Sequence, residues 1–285
     1  QLGSRNEVIR LARLAGAPDC FYPTMEERGL VRTAEGQQRR IRIEAEDDCS
    51  NRSELEFTIR GRSESFRAEP DTAAVAVYPD RTSLLQVGRE ARISIPEGAL
   101  YEPVFAKPER RETPQADSGV VVLSPAYRFL SPETPLRHAA AVTIRTHVPR
   151  PLQLQTVLAV RNRKGRLAHV GGTYANGAVT ATTYATGDLT VVADTLPPSI
   201  RPLFTEGADL SKAEGLRFRV ADNFSGIAAW TLRIDGEWVP CDRFPVKGTL
   251  VHFFDNPATR RKHEVQLSVR DGCGNTAHFR GIFYR

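Results

Sequence analysis

Apolar and polar residues alternate with a period of two along most of this chain, and few stretches show a helical period. In its last third Leu216, Phe218 and Val220 alternate with polar neighbours, as do Trp230, Leu232 and Ile234, then Val251 and Phe253. Such a run puts one face of a strand in a core and the other in water. The same reading predicts strands at Ala91–Ile95, Val120–Leu123, Ala141–Thr146, Thr156–Arg161, Leu167–Val170, Ala178–Tyr184 and Leu189–Asp194. The intervening "NRKG", "ANG" and "ATGD" are hairpin connections. Pro96-Glu97-Gly98 is a turn, and the charged, Pro-containing segment Lys107–Ser118 is a surface loop. "NEVIRLARLAG" near the start reads as a strand or a short helix. The expected fold is all-β, a tandem of immunoglobulin/fibronectin-like β-sandwich domains. Three units are expected: a partial Ig-like unit over 1–62, a central sandwich over 63–194, and a C-terminal sandwich over 199–285. The unit over 1–62 is short for a whole sandwich, so strands are expected upstream of it. "DTLPPSIRP" at 194–202 reads as a linker, because adjacent prolines cannot continue a central strand.

Two segments repeat each other. "DDCSN" at 47–51 and "DGCGN" at 271–275 align with Cys49 on Cys273, Asp47 on Asp271 and Asn51 on Asn275. Ile41, Ile43 and Ala45 then fall on Val265, Leu267 and Val269, and Leu55, Phe57 and Ile59 on Phe279, Gly281 and Phe283. Each reads as strand, tight turn, strand, with turn residues that bond their own backbone or accept positive φ. Each copy has a second cysteine upstream, Cys20 or Cys241. Four cysteines allow three pairings, and the repeat favours Cys20–Cys49 and Cys241–Cys273. Loops of that length would stabilise by roughly 3–4 kcal/mol each and would imply an oxidising compartment. Free inert thiols are the main alternative. A structural zinc would need clustered ligands, and a nucleophilic thiol an adjacent base, and neither pattern is present in the sequence.

Composition narrows the partners. A net charge of +5 and a pI of about 9.2 suit an anionic partner such as a cell envelope. The arginines are scattered rather than striped with aromatics, so nucleic acid is not expected. "RRKHE" at 260–264, the densest basic cluster, reads as a solvated hairpin end. No apolar stretch approaches the ~20 residues of a membrane helix, and "QLGSRNEVIRLARLAG" is not a signal peptide. If the disulfides form, an export signal is expected before Gln1, which makes the chain a mature protein or a fragment.

Candidate chemistry is sparse. The six histidines (His138, His147, His169, His252, His263 and His278) form no HxH or HExxH pattern, and none has an Asp four residues on. No GxSxG, P-loop or dinucleotide glycine pattern occurs. In "ADNFSGI", Asp222, Asn223 and Ser225 could supply oxygens to calcium, but calcium takes six or more and only one carboxylate is local. A turn bonded to its own backbone is the expected role. Trp230, Trp238, Tyr101 and Tyr127 are candidates for a sugar-binding face; Trp230 alternates with core positions, which leaves Trp238 and Tyr101 as possible surface-binding residues.

The ordered strings "IPEGALYEP", "SPETPLRHAAAVTIR", "GGTYANGAVTATTYATGDLTVVADTLPPSIRP", "ADNFSGIAAWTLRIDGEWV" and "VRDGCGNTAHF" resemble the C-terminal region of lysostaphin-type (LytM-type) zinc metallopeptidases of Bacteroidetes. The likeness is most specific over residues 90–285. It implies β-sandwich modules that follow the catalytic domain of an exported peptidoglycan endopeptidase, in the periplasm or cell envelope. That family's zinc ligands lie in HxxxD and HxH motifs, and neither occurs here. The chain is therefore expected to be a non-catalytic accessory region, with no cofactor of its own and zinc only in a missing catalytic domain. Its expected partners are its own N-terminal peptidase domain and peptidoglycan. A glycan-binding module, or a structural or adhesive envelope protein with no peptidase partner, is the alternative.

Overall fold

A computed structural model of the chain describes residues 29, 31–62, 73–162, 164–255 and 259–285. "NEVIRLARLAG" and Cys20 lie outside the described residues. The described chain is all-β and falls into two units, one ending at Ala74 and one running from Val75 to Arg285.

In the first unit β1 (Gln38–Glu46) and β2 (Arg52–Arg60) form an antiparallel hairpin. Pairing sets Ile41 opposite Phe57 and Ile43 opposite Leu55, so one face is apolar. The other face is a charge ladder, in which Arg40 pairs with Glu56, Arg42 with Glu44 and Glu54, and Arg52 with Glu46. Exposed pairs of this kind contribute little each; Glu44 stands directly opposite Glu54, with Arg42 paired to both.

The second unit holds two sandwiches. The first is built from β3 (Val75–Val77), β4 (Ser83–Val87), β5 (Ala91–Ile95), β6 (Val104–Ala106), β7 (Glu109–Arg111), β8 (Val120–Val122), β9 (Ala126–Arg128), β10 (Ala140–Arg145), β11 (Thr156–Arg161), β12 (Leu167–Gly171), β13 (Thr173–Ala175), β14 (Ala178–Thr183) and β15 (Asp188–Asp194). One sheet runs β13-β14-β10-β5-β4 and the other β12-β11-β15-β9-β7, with β8 also on β15. Their inner faces close over Ile93, Ile144, Leu158, Val179 and Val191, all within 1% of full burial. Tyr127 is in this core, and its hydroxyl donates to Glu90 Oε2 at 2.9 Å. Burial, reinforced by the Glu90 charge, pushes the phenol up to about 12. Every residue of β15 is buried, which matches its nearly unbroken apolar sequence LTVVA: Leu189 and Val191 enter the sandwich core, while Val192 on the other face packs with Cys273.

The second sandwich comprises β16 (Ser199–Pro202), β17 (Ala208–Asp209), β18 (Gly215–Ala221), β19 (Ile227–Ile234), β20 (Glu237–Val239), β21 (Asp242–Phe244), β22 (Thr249–Phe253), β23 (Lys262–Asp271) and β24 (Thr276–Tyr284). Sheet β16-β18-β22-β21 packs on sheet β17-β24-β23-β19-β20 over Leu216, Phe218, Leu232, Leu250, Leu267 and Phe283. Phe204, Phe218 and Phe279 meet edge to face at 5.5–6.2 Å. The sequence reading of 199–202 as linker is corrected here. The segment pairs with β18, and Pro202 is tolerated because β16 ends its sheet.

The repeat seen in the sequence is a repeat of geometry. Ile41 opposite Phe57 corresponds to Val265 opposite Gly281, and Ile43 opposite Leu55 to Leu267 opposite Phe279. Both turns are closed alike: the first Asp takes the amide hydrogens of the Cys and the Asn on Oδ1, and the Asn side-chain amide on Oδ2, all at 2.8–2.9 Å. The residue before Asn is left-handed in each, Ser50 at φ 63° and Gly274 at φ 91°.

Candidate functional site

The densest arrangement of functional groups lies where the two sandwiches of the second unit meet. Two turns of the second sandwich supply it from one side. In "ADNFSGI", Asp222 Oδ2 accepts the Phe224 and Gly226 amides at 3.0 and 2.7 Å, the self-bonded turn expected from the sequence. The DGCGN turn lies beside it, joined by Gly272 N to Gly226 O at 3.0 Å. From the first sandwich comes Asp194, the last residue of β15, fully buried. Carboxylate oxygens of Asp194, Asp222 and Asp271 come within 4.8 Å of one another. The sequence reading credited "ADNFSGI" with one carboxylate; folding adds two from distant segments.

The surroundings tie the sandwiches together. Asn275 Nδ2 donates to the Asp194 carbonyl at 2.9 Å, and Gln155 Nε2 to Asn275 Oδ1 at 3.0 Å. Ser225 Oγ donates to Asp194 Oδ2 at 2.7 Å, and Asn223 Nδ2 to the Ser118 carbonyl at 3.0 Å. Cys273 packs with Val120, Val157, Ala159, Leu167 and Val192, while Phe224 meets the His169 ring edge-on at 5.7 Å. Gly272 is required for closeness: a Cβ there would stand 2.8 Å from the Ser225 carbonyl oxygen.

Charge is poorly compensated at this junction. Burial raises the Asp194 carboxyl above its ordinary range; the Ser225 hydroxyl opposes that, and the Asp222 and Asp271 charges add to it. Burial lowers His169, against the pull of the same three carboxylates. Asp222 Oδ1 and His169 Nε2 are buried atoms with no hydrogen-bond partner among the described residues. Three hard oxygen donors are what a calcium or magnesium ion takes, rather than a thiolate-loving metal. Their mutual repulsion adds to burial in favouring the neutral form of Asp194.

The cysteines are not arranged as expected. Cys49, Cys241 and Cys273 are free thiols. A Cys241–Cys273 bridge is absent because the two side chains belong to different clusters: Cys241 packs on the core of its own sandwich, and Cys273 against the first sandwich. Burial pushes both thiols up to about 11, so they are poor nucleophiles at neutral pH. The Cys20–Cys49 pairing falls partly outside the described residues, and Cys49 is exposed. The sequence repeat therefore identifies a shared turn, not a shared staple.

The aromatic candidates are dispersed. Trp238 is 63% exposed on β20, whereas Tyr101 is half-buried beside the first sandwich. Tyr127 is in the core and Trp230 packs on its sandwich core with Nε1 donating to the Cys241 carbonyl, so the four do not form one sugar-binding face. A His–Asp contact missed in the sequence lies at the opposite end of β23 from Asp271: His263 Nδ1 meets Asp235 Oδ2 at 2.7 Å. It opens on a cavity of about 300 Å³ that also holds His252 and Asp255. No hydroxyl or thiol side chain lines that cavity, so the described residues offer no nucleophile for the pair to activate.

Residues 77–194 match the Zu5-like domain. That span is the body of the first sandwich. No curated protein matches the chain.

Proposed function

We propose that this chain is the non-catalytic accessory β region of an exported peptidoglycan endopeptidase. It positions or shields the peptidase domain, or docks it to the wall. One observation supports the positioning role above others. Four loop hydrogen bonds and a buried cluster centred on Cys273 join the two sandwiches, so they move as one arm. Domains joined only by a flexible linker would transmit no orientation. The tie to peptidoglycan rests on the motif resemblance, and the envelope location rests on the same argument, since the Cys241–Cys273 bridge that would have implied an oxidising compartment is absent.

The test uses the purified chain on peptidoglycan sacculi. Retention that survives added salt supports docking; retention lost in modest salt reduces it to net positive charge and leaves the positioning role. Release of soluble fragments from the sacculi would overturn the non-catalytic reading. The full reading frame is expected to encode HxxxD and HxH motifs upstream; a frame without them removes the peptidase link.

A further inference from the structure

The outer face of sheet β16-β18-β22-β21 carries a groove of about 650 Å³. Its apolar lining is unusually exposed: Leu203 by 48%, Phe244 by 42%, Val246 by 79% and Phe253 by 44%. Single exposed apolar residues are ordinary, but several lining one groove mark an interaction surface. The rim is cationic. Arg219 and Lys247 line the groove with no ion pair among the described residues, and Arg217 has only a 3.5 Å contact with the largely exposed Glu214. Asp242 shares this sheet face by alternation but does not line the groove. β21 ends the sheet, with no strand on its outer edge among the described residues.

We propose that this groove binds an extended acidic peptide segment of a partner protein, added as a strand beside β21. The edge offers backbone hydrogen bonds to such a segment. Every second side chain of such a strand faces the groove; along that one face apolar residues would pack on Phe244 and Val246, and acidic residues would meet Lys247 and, reaching in across β22, Arg219. A second copy of this chain is a poor occupant, because face-to-face association would bring the same cations against each other. An anionic bilayer is a poor occupant too, since the apolar groups line a concavity rather than project from a convex tip. The proposal is independent of the peptidoglycan reading.

The test is fluorescence anisotropy of the whole chain with a labelled decapeptide in which Ser alternates with Val, Glu, Phe, Glu and Val in turn, so that acidic and apolar side chains share one face. The same peptide with Lys in place of Glu, and a copy N-methylated at alternate amides, are the comparisons. The acidic peptide should bind and the basic one should not. Val246→Asp combined with Lys247→Glu should weaken binding at least about tenfold, and Arg219→Glu separately should weaken it as well. Tyr184→Ala, on the first sandwich, should leave it unchanged. All three variants alter exposed side chains, and unchanged melting curves would show that they fold. No binding of the acidic peptide, or equal binding of the N-methylated copy, would overturn the proposal. So would capture by phosphatidylglycerol vesicles through these residues without peptide binding, or dimerisation abolished by the double variant.

Discussion

Asn275→Ala tests whether the junction is the structural centre of the second unit. Asn275 makes three side-chain hydrogen bonds: to Asp271 within its own turn, to the Asp194 carbonyl and from Gln155 across the junction. Neutral bonds contribute roughly 0.5–1.5 kcal/mol net and one to a charged group about 1.5–3 kcal/mol. The substitution should therefore cost about 3–5 kcal/mol. The higher figure is favoured because Gln155 Oε1 already lacks a partner and its Nε2 would lose one too. Asn51→Ala is the internal control. It removes the same turn bond in the exposed hairpin of the first unit. Urea unfolding provides the assay. Both tryptophans, Trp230 and Trp238, lie in the second sandwich, so their fluorescence reports it while far-ultraviolet circular dichroism reports all strands. The Asn275 variant should unfold at clearly lower urea, and the Asn51 variant should shift less, by no more than its one exposed turn bond. Equal small shifts for the two would refute the reasoning, because the turn bond alone would then account for both.

The charge state of the junction gives a pH-dependent prediction. Asp194 holds its proton above the unfolded value of 3.8, so its contribution to stability is lost as pH rises through that window, and Asp194→Asn should raise the melting temperature at pH 7 by an amount that shrinks towards pH 4. A variant less stable at pH 7 would show that the carboxylate is compensated. His169 acts oppositely: its pKa is below 6.5 when folded, so stability falls as pH drops from 6.5, and His169→Gln should flatten that limb in pH-dependent melting. In a thiol assay at pH 8, Cys49 should react first and Cys241 and Cys273 only on unfolding, with no Cys241–Cys273 peptide in unreduced digests; rapid labelling of Cys273 would contradict its burial. Gly272→Ala should cost about 1–3 kcal/mol in the same urea assay, because its Cβ would press on the Ser225 carbonyl oxygen. A neutral effect would mean that the two turns can part freely.

The sequence by itself determined the strands and the two hairpin turns. Strand alternation is a local signal, and so is the Asp-to-Asn closure, since its partners lie four residues apart. Val265, Leu267 and Val269 could be assigned to a core face for that reason. Short strands such as β17 and β20 carried too few residues to show a period, and 199–202 was masked by its prolines. Tertiary structure decided what the turns are for. The DDCSN and DGCGN hairpins share register and capping, yet Cys49 is exposed and Cys273 is buried, because the second packs on the outer face of β15. Asp194 read as the end of a strand; its approach to Asp222 and Asp271 depends on how two sandwiches dock. The same holds for the unformed Cys241–Cys273 bridge and for the apolar lining of the groove beside β21. Local periodicity states which way a side chain faces along its own strand, whereas burial, charge coupling and thiol pairing depend on distances between segments that no local pattern encodes.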